Sequence, residues 1–143
     1  MDLTIRQMTV DDHDSVRALW DATDGVDLAV GDTRADIARF LDRNPGLSFI
    51  ALAGENLIGA VLCGHDGRRG YVHHLAVDES FRRHGVGRAL IDRCLEGLRA
   101  AGIGKCHLFI RRDNATGFVF WQRTGWVDRI KLRMMSRTLG PQA

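Results

Sequence analysis

The sequence predicts an α+β fold: a mixed, mostly antiparallel sheet with helices on both faces and one parallel βαβ unit. Three observations carry that reading. Short apolar runs joined by glycine-bearing turns follow one another from Leu47 to Val77, as in an antiparallel meander. A wide apolar stripe at helical spacing (Val86, Leu90, Cys94, Leu98, Ala101) comes next, and the apolar run Lys105 to Ile110 follows it. Strand, turn, helix and strand in that order make a βαβ unit, whose two strands run parallel.

Each element has a local reason. Leu3 to Met8 alternates apolar and polar residues, as a half-buried strand does. Thr9 with Asp12 forms a capping-box pattern, opening a helix with Val16, Leu19 and Trp20 on one side. The stretch from Asp21 to Asp32, rich in aspartate and glycine, reads as a surface loop. A second capping pair, Thr33 and Asp36, opens a helix that Asn44-Pro45-Gly46 stops, because the residue before proline avoids the α region. The runs Leu47 to Ala53 and Leu57 to Gly64 form a hairpin through Gly54-Glu55-Asn56, and Asp66 to Gly70 turns into the strand Tyr71 to Val77. Gly102 closes the long helix. Ala115 to Arg123 is helical, Trp126 to Met135 alternates as a last strand or hairpin, and 139–143 is a tail.

The chain of 143 residues fits one domain, 1–143, with enough length to bury a core. With 45% hydrophobic and 27% charged residues it is no disordered polymer. A net charge of +2 gives no global argument for nucleic acid or a membrane surface as partner, so any anion recognition must be local. Cys63, Cys94 and Cys106 lack C-x-x-C spacing and sit in apolar runs, which suits core thiols in a reducing compartment. The opening residues carry no signal-peptide pattern, and no stretch reaches the ~18 apolar residues of a membrane span. A cytoplasmic protein is the expectation.

The segment between the strand and the long helix carries the chemistry. Arg82-Arg83-His84-Gly85-Val86-Gly87-Arg88 places two glycines and three arginines at a helix start, where unpaired N–H groups and the macrodipole favour an anion. It is a phosphate cradle in outline. A Walker A loop would need Lys and Ser/Thr where Arg88 and Ala89 stand. A dinucleotide fingerprint would need a third glycine at Leu90 and an acidic residue after the next strand, where Arg111-Arg112 stands.

Leu75-Ala76-Val77 followed by Arg82-x-x-Gly85-x-Gly87, with Asn114 and Phe120-Trp121 later, resembles the signatures of the GNAT N-acetyltransferase superfamily. The resemblance implies acetyl-CoA as co-substrate, with no metal. Its pyrophosphate would sit on the amides of His84 to Ala89, around Val86 and between Arg82, Arg83 and Arg88. The pantetheine arm would add to the backbone of Leu75, Ala76 and Val77 like a strand. Asn114 would bond that arm, and Phe120 and Trp121 would line it. The expected enzyme moves acetyl to a primary amine of a small molecule or protein by direct attack in a ternary complex. The alternative is a non-catalytic module that holds acetyl-CoA. Dimers are common among such relatives, so a homodimer stays an open option.

Acetyl transfer needs a base for the amine, a donor for the oxyanion and a proton for the thiolate. The base is expected on the central strand, at His73 first and Tyr71 second; simple alternation makes Tyr71 and His73 share a face and turns His74 away. The family's tyrosine acid is replaced by Trp121, whose indole does not surrender its proton. The acceptor pocket in such folds is built from the first two helices, their loop and the central strand, which nominates Trp20, Asp27 and His74, with Asp24 and Asp32 nearby.

Overall fold

The computed structural model describes residues 2–141, in two compact units that divide after Phe109. The first holds a five-stranded sheet in sequential order: β1 (Leu3–Gln7), β2 (Phe49–Ala53), β3 (Asn56–His65), β4 (Gly70–Val77) and β5 (Cys106–Leu108). The first three pairings are antiparallel and β4 with β5 is parallel, as the βαβ reading requires. Helices α1 (His13–Asp21), α2 (Arg34–Arg43) and α3 (Val86–Ala100) complete this unit.

Local signals set the helix ends. The Asp12 carboxylate accepts from the Thr9 N–H at 2.9 Å and from Arg6 at 2.8 Å, opening a 3₁₀ turn that runs into α1. Thr33 and Asp36 cap α2 reciprocally. At the other end of α2, the buried Asn44 accepts from the His65 N–H at 3.0 Å and so ties the helix to β3.

The sheet buries both faces. On one, Ile50, Ala60, Leu62 and Ala76 meet Val16, Leu19, Trp20 and Ile37 of α1 and α2. On the other lie Val86, Leu90, Ile91, Cys94 and Leu98, the apolar stripe of α3. Gly59 makes that contact possible, since a Cβ there would stand 3.1 Å from Leu90 and 3.2 Å from Val86. Between its end residues Asn56 and His65 the β3 run is apolar, because it is central and covered twice. The cysteines are free thiols. The hydrogen bond with Cys63 and burial push Cys94 far up, and burial pushes the half-buried Cys106 up to about 12, so neither is a ready thiolate.

The second unit holds α4 (Ala115–Arg123), capped by Asn114, whose Oδ1 accepts from the Gly117 N–H at 2.9 Å. The strand expected over 126–135 is absent. Val127, Ile130, Leu132, Met134 and Met135 are all exposed, and alternation alone cannot hold a strand whose backbone groups find no ladder. The end of the expected tail, Gln142 and Ala143, lies outside the described residues.

Candidate active site

The bulge in β4 organises the site. Ala60 pairs with Ala76 and Leu62 with His73, so His74 and Leu75 together stand opposite Val61. One extra residue reverses the alternation. His74 takes it up at φ +54, in the left-handed region. Alternation without a bulge would turn His74 away from His73; instead both rings lie on the α1–α2 side. The His74 ring meets Trp20 at 5.1 Å and the His73 ring meets Phe40 at 6.3 Å.

Around this bulge the side chains interlock. The His74 Nε2 lies 3.0 Å from Asp32 Oδ1, with the two side chains 20% and 14% exposed. Burial alone would raise the Asp32 carboxyl, but the hydrogen bonds from His74 and the Ala29 amide outweigh it and hold Asp32 below the ordinary carboxylate range. It is therefore ionised at neutral pH and accepts the proton of Nε2. Trp20 is 0% exposed, so the expectation that it contacts the acceptor is corrected; its N–H instead holds the His74 carbonyl at 2.9 Å. Asp27 is exposed in the loop, and the acidic residue brought to β4 is Asp32.

Tyr71, His73 and Phe109 form a group of near-parallel rings, each pair 6.3 Å apart between centroids. Burial, and then the neighbouring His74, push the His73 imidazole below its ordinary value, so it is neutral at pH 7. His107 lies opposite Tyr71 on β5, its Nε2 3.3 Å from the Arg69 guanidinium. Arginine can only donate, so Nε2 accepts there. The sequence put Phe40 on the inward face of α2, and neither it nor His107 nor Phe109 was nominated as a site residue. The i, i+2 spacing of His107 and Phe109 on a strand parallel to Tyr71 was the available signal.

Two features beside this cluster are open to a ligand. First, β5 pairs only with Gly70, Tyr71 and Val72, so from His73 to Val77 that edge of β4 has no ladder partner among the described residues. Second, α3 is preceded by Gly85 in the N-cap position, which adopts φ +78, supplies no capping side chain, and has nothing within 4 Å of where a Cβ would stand. The first turn of α3 holds no acidic residue, while Arg82, Arg83, His84 and Arg88 are exposed around it. Arg82 folds back, its Nε donating to the Val77 carbonyl at 3.2 Å. Ala89 must be removed from the expected row of free amides, because its N–H already donates to Gly85 O at 3.0 Å. Among the described residues, the N–H groups of Val86, Gly87 and Arg88 have no backbone acceptor. An anion at the helix start, continued by an extended amide-bearing chain along β4, fits these groups.

Asn114, Phe120 and Trp121 lie in the second unit. There Trp121 packs edge-on against Phe120 at 5.0 Å and Trp126 at 5.4 Å, while Asn114 caps α4.

A bulged β4 followed by a helix with glycine at its start and no capping side chain is the arrangement to be compared with known proteins. The family model described as Acetyltransferase (GNAT) family matches residues 13–126, and the chain belongs to that family. It is therefore an acetyl-CoA-dependent acyltransferase. The chain is 37% identical over 112 residues to acetyltransferase ECA0875 of Pectobacterium atrosepticum, covering 78% of this chain and 79% of the relative. Among solved structures, it resembles Ard1 from Thermoplasma volcanium with a TM-score of 0.78 and 26% identity, over 89% of this chain and 84% of that one. AAC(6')-Iy, solved in complex with the bisubstrate analog CoA-S-monomethyl-acetylneamine, shares the fold at a TM-score of 0.77 and 19% identity, over 97% of this chain and 100% of that one.

Proposed function

We propose that this chain moves an acetyl group from acetyl-CoA to a primary amine of a small molecule or a protein, by direct attack in a ternary complex. The observation that carries the reading is the pairing of the open β4 edge with the uncapped start of α3. In this proposal the amides of Val86, Gly87 and Arg88 hold the pyrophosphate, with Arg82, Arg83, His84 and Arg88 neutralising its charge. Each such charge–dipole contact is worth about 0.3–1 kcal/mol. The backbone of Leu75, Ala76 and Val77 receives the pantetheine arm as an added strand, and one of its N–H groups supplies the oxyanion donor. The resemblance also nominates Asn114, Phe120 and Trp121 as coenzyme A contacts.

The acceptor amine, in turn, meets the face of β4 that carries Tyr71, His73 and His74. No covalent enzyme intermediate is needed, because the thioester is already activated; placing the two reactants supplies much of the rate. The imidazoles of His73 and His74 put proton acceptors on β4. A second use of the fold, holding acetyl-CoA without turnover, is separated by one assay. Acetyl-CoA is mixed with a panel of polyamines, an aminoglycoside such as sisomicin, and peptides with free α-amines, and thiol release is followed. Acceptor-dependent thiol release is expected. Coenzyme A binding without thiol release from any acceptor would favour the holding module.

A further inference from the structure

The Asp32–His74 pair stands apart from what the family signatures supply, since neither residue belongs to them. We infer that His74 is the general base for acetyl transfer and that Asp32 is the positioning residue that fixes its tautomer. The inference rests on the acetyltransferase reading above and deepens it.

The geometry decides the tautomer. Asp32 Oδ1 lies 3.0 Å from Nε2, and an ionised carboxylate can only accept, so Nε2 carries the proton. Nδ1 is then the nitrogen with the free lone pair. Asp32 also stabilises the imidazolium that forms when Nδ1 takes a proton, which is the logic of a carboxylate behind a catalytic histidine. Two further bonds hold the pair in place. The Ala29 N–H fixes the other carboxylate oxygen at 3.0 Å, and the Trp20 N–H fixes the His74 carbonyl at 2.9 Å.

His73 is the natural rival, being the base that plain alternation favours. Its ring sits among Tyr71, Phe40 and Phe109 and has no hydrogen bond to a carboxylate among the described residues; Asp32 favours its charge, but burial and His74 outweigh that. A base must accept charge in the transition state, and His74 is the imidazole built for that. The titratable groups packed around His74 are Asp32 from the loop before α2 and His73 beside it on β4, while α1 brings the uncharged Trp20.

The balanced step is short. An ammonium acceptor first gives one proton to solvent. As the amine attacks, its nitrogen forms the new C–N bond and a second proton passes to His74 Nδ1. The C–S bond breaks and its electron pair leaves with the sulfur, which then receives the proton from the imidazolium directly or through water. The product thiol and amide carry every atom of the reactants.

The test combines ring titration with kinetics. The histidine Cε1–H resonances are followed by NMR against pH in the wild type, Asp32→Asn and Asp32→Glu, with His73→Gln and His74→Asn assigning the signals. Asparagine is chosen at position 74 because it tolerates φ +54. Thiol release from acetyl-CoA is measured over the same pH range, with hydroxylamine or spermidine as the offered acceptor. Calorimetry with coenzyme A tests the donor site separately, so loss of that binding would count against the acetyltransferase reading and not against the dyad alone. Asp32→Asn is expected to lower the titration of His74 and move the acid limb of kcat to lower pH, with Asp32→Glu restoring both in part. His74→Asn is expected to lower kcat about 10²-fold or more with coenzyme A affinity kept. A His74 titration and acid limb unmoved by Asp32→Asn would overturn the inference. So would an acid limb that disappears in His73→Gln and survives in His74→Asn.

Discussion

The indole N–H of Trp20 donates a 2.9 Å hydrogen bond to the carbonyl oxygen of His74, 54 residues further along the chain. It joins the buried face of α1 to the one residue of β4 that lies in the left-handed region. A bulge held this way keeps its register because its carbonyl has a fixed partner away from the ladder.

Trp20→Phe removes that partner while keeping an aromatic ring in the core. The expected cost is about 1–3 kcal/mol of stability, because a buried carbonyl loses its donor. Turnover should fall while coenzyme A affinity holds. Urea unfolding and steady-state kinetics on the same preparation read the two effects; an unchanged midpoint would mean that the bond does not anchor the bulge.

His73 makes stability depend on pH. Its folded value is depressed, chiefly by burial, so the unfolded chain binds more protons between that depressed value and the ordinary 6.5. Stability therefore rises with pH across this window and is fully present above about 6.5. It is lost as the pH falls from there through the folded value. His73→Gln should flatten this part of the profile, as measured by the midpoint of urea unfolding at a series of pH values. Wild type and variant falling in parallel below pH ~6.5 would argue against it.

His13 is 7% exposed, and neither of its ring nitrogens has a hydrogen-bond partner among the described residues. Asp14 comes within 3.8 Å, but its carboxylate is 96% exposed and offers little. Burying unpaired polar atoms is costly, so His13→Phe should hold stability or raise it by about 1 kcal/mol. A clear loss in thermal unfolding would show that the imidazole is needed there.

Trp121 packs edge-on between Phe120 and Trp126. Its indole can donate a hydrogen bond but cannot act as the acid for a departing thiolate. Trp121→Phe should therefore leave kcat within about threefold, whereas Trp121→Ala opens the aromatic packing and should lower stability more than Trp121→Phe does. A collapse in turnover with Phe would assign the N–H a role in the reaction.

Local features were the legible ones. Thr33 with Asp36, the stop at Asn44-Pro45, and the glycine turn before α3 each act within a few residues, and each stands where the sequence put it. The parallel strand was legible because strand, helix and strand leave one handed way to close. The bulge was not, because it arises from a mismatch between β3 and β4 and not from any residue type. Without it, His74 turns away and its pairing with Asp32, 42 residues earlier, cannot be foreseen. The alternation of 126–135 misled for a related reason: a strand is a property of two segments, and one segment's pattern does not supply the other.

Coenzyme A held by the amides at the start of α3 is the claim from which the rest follows, and Gly87→Asp isolates it. A carboxylate in the first turn favours the helix by about 0.3–1 kcal/mol, so the variant should be at least as stable as the wild type. It also adds bulk and negative charge where a pyrophosphate would sit. Titration calorimetry with coenzyme A on the two proteins is the direct measurement. Binding to the wild type and its loss in the folded Gly87→Asp protein are expected, and equal affinity in both would contradict the site.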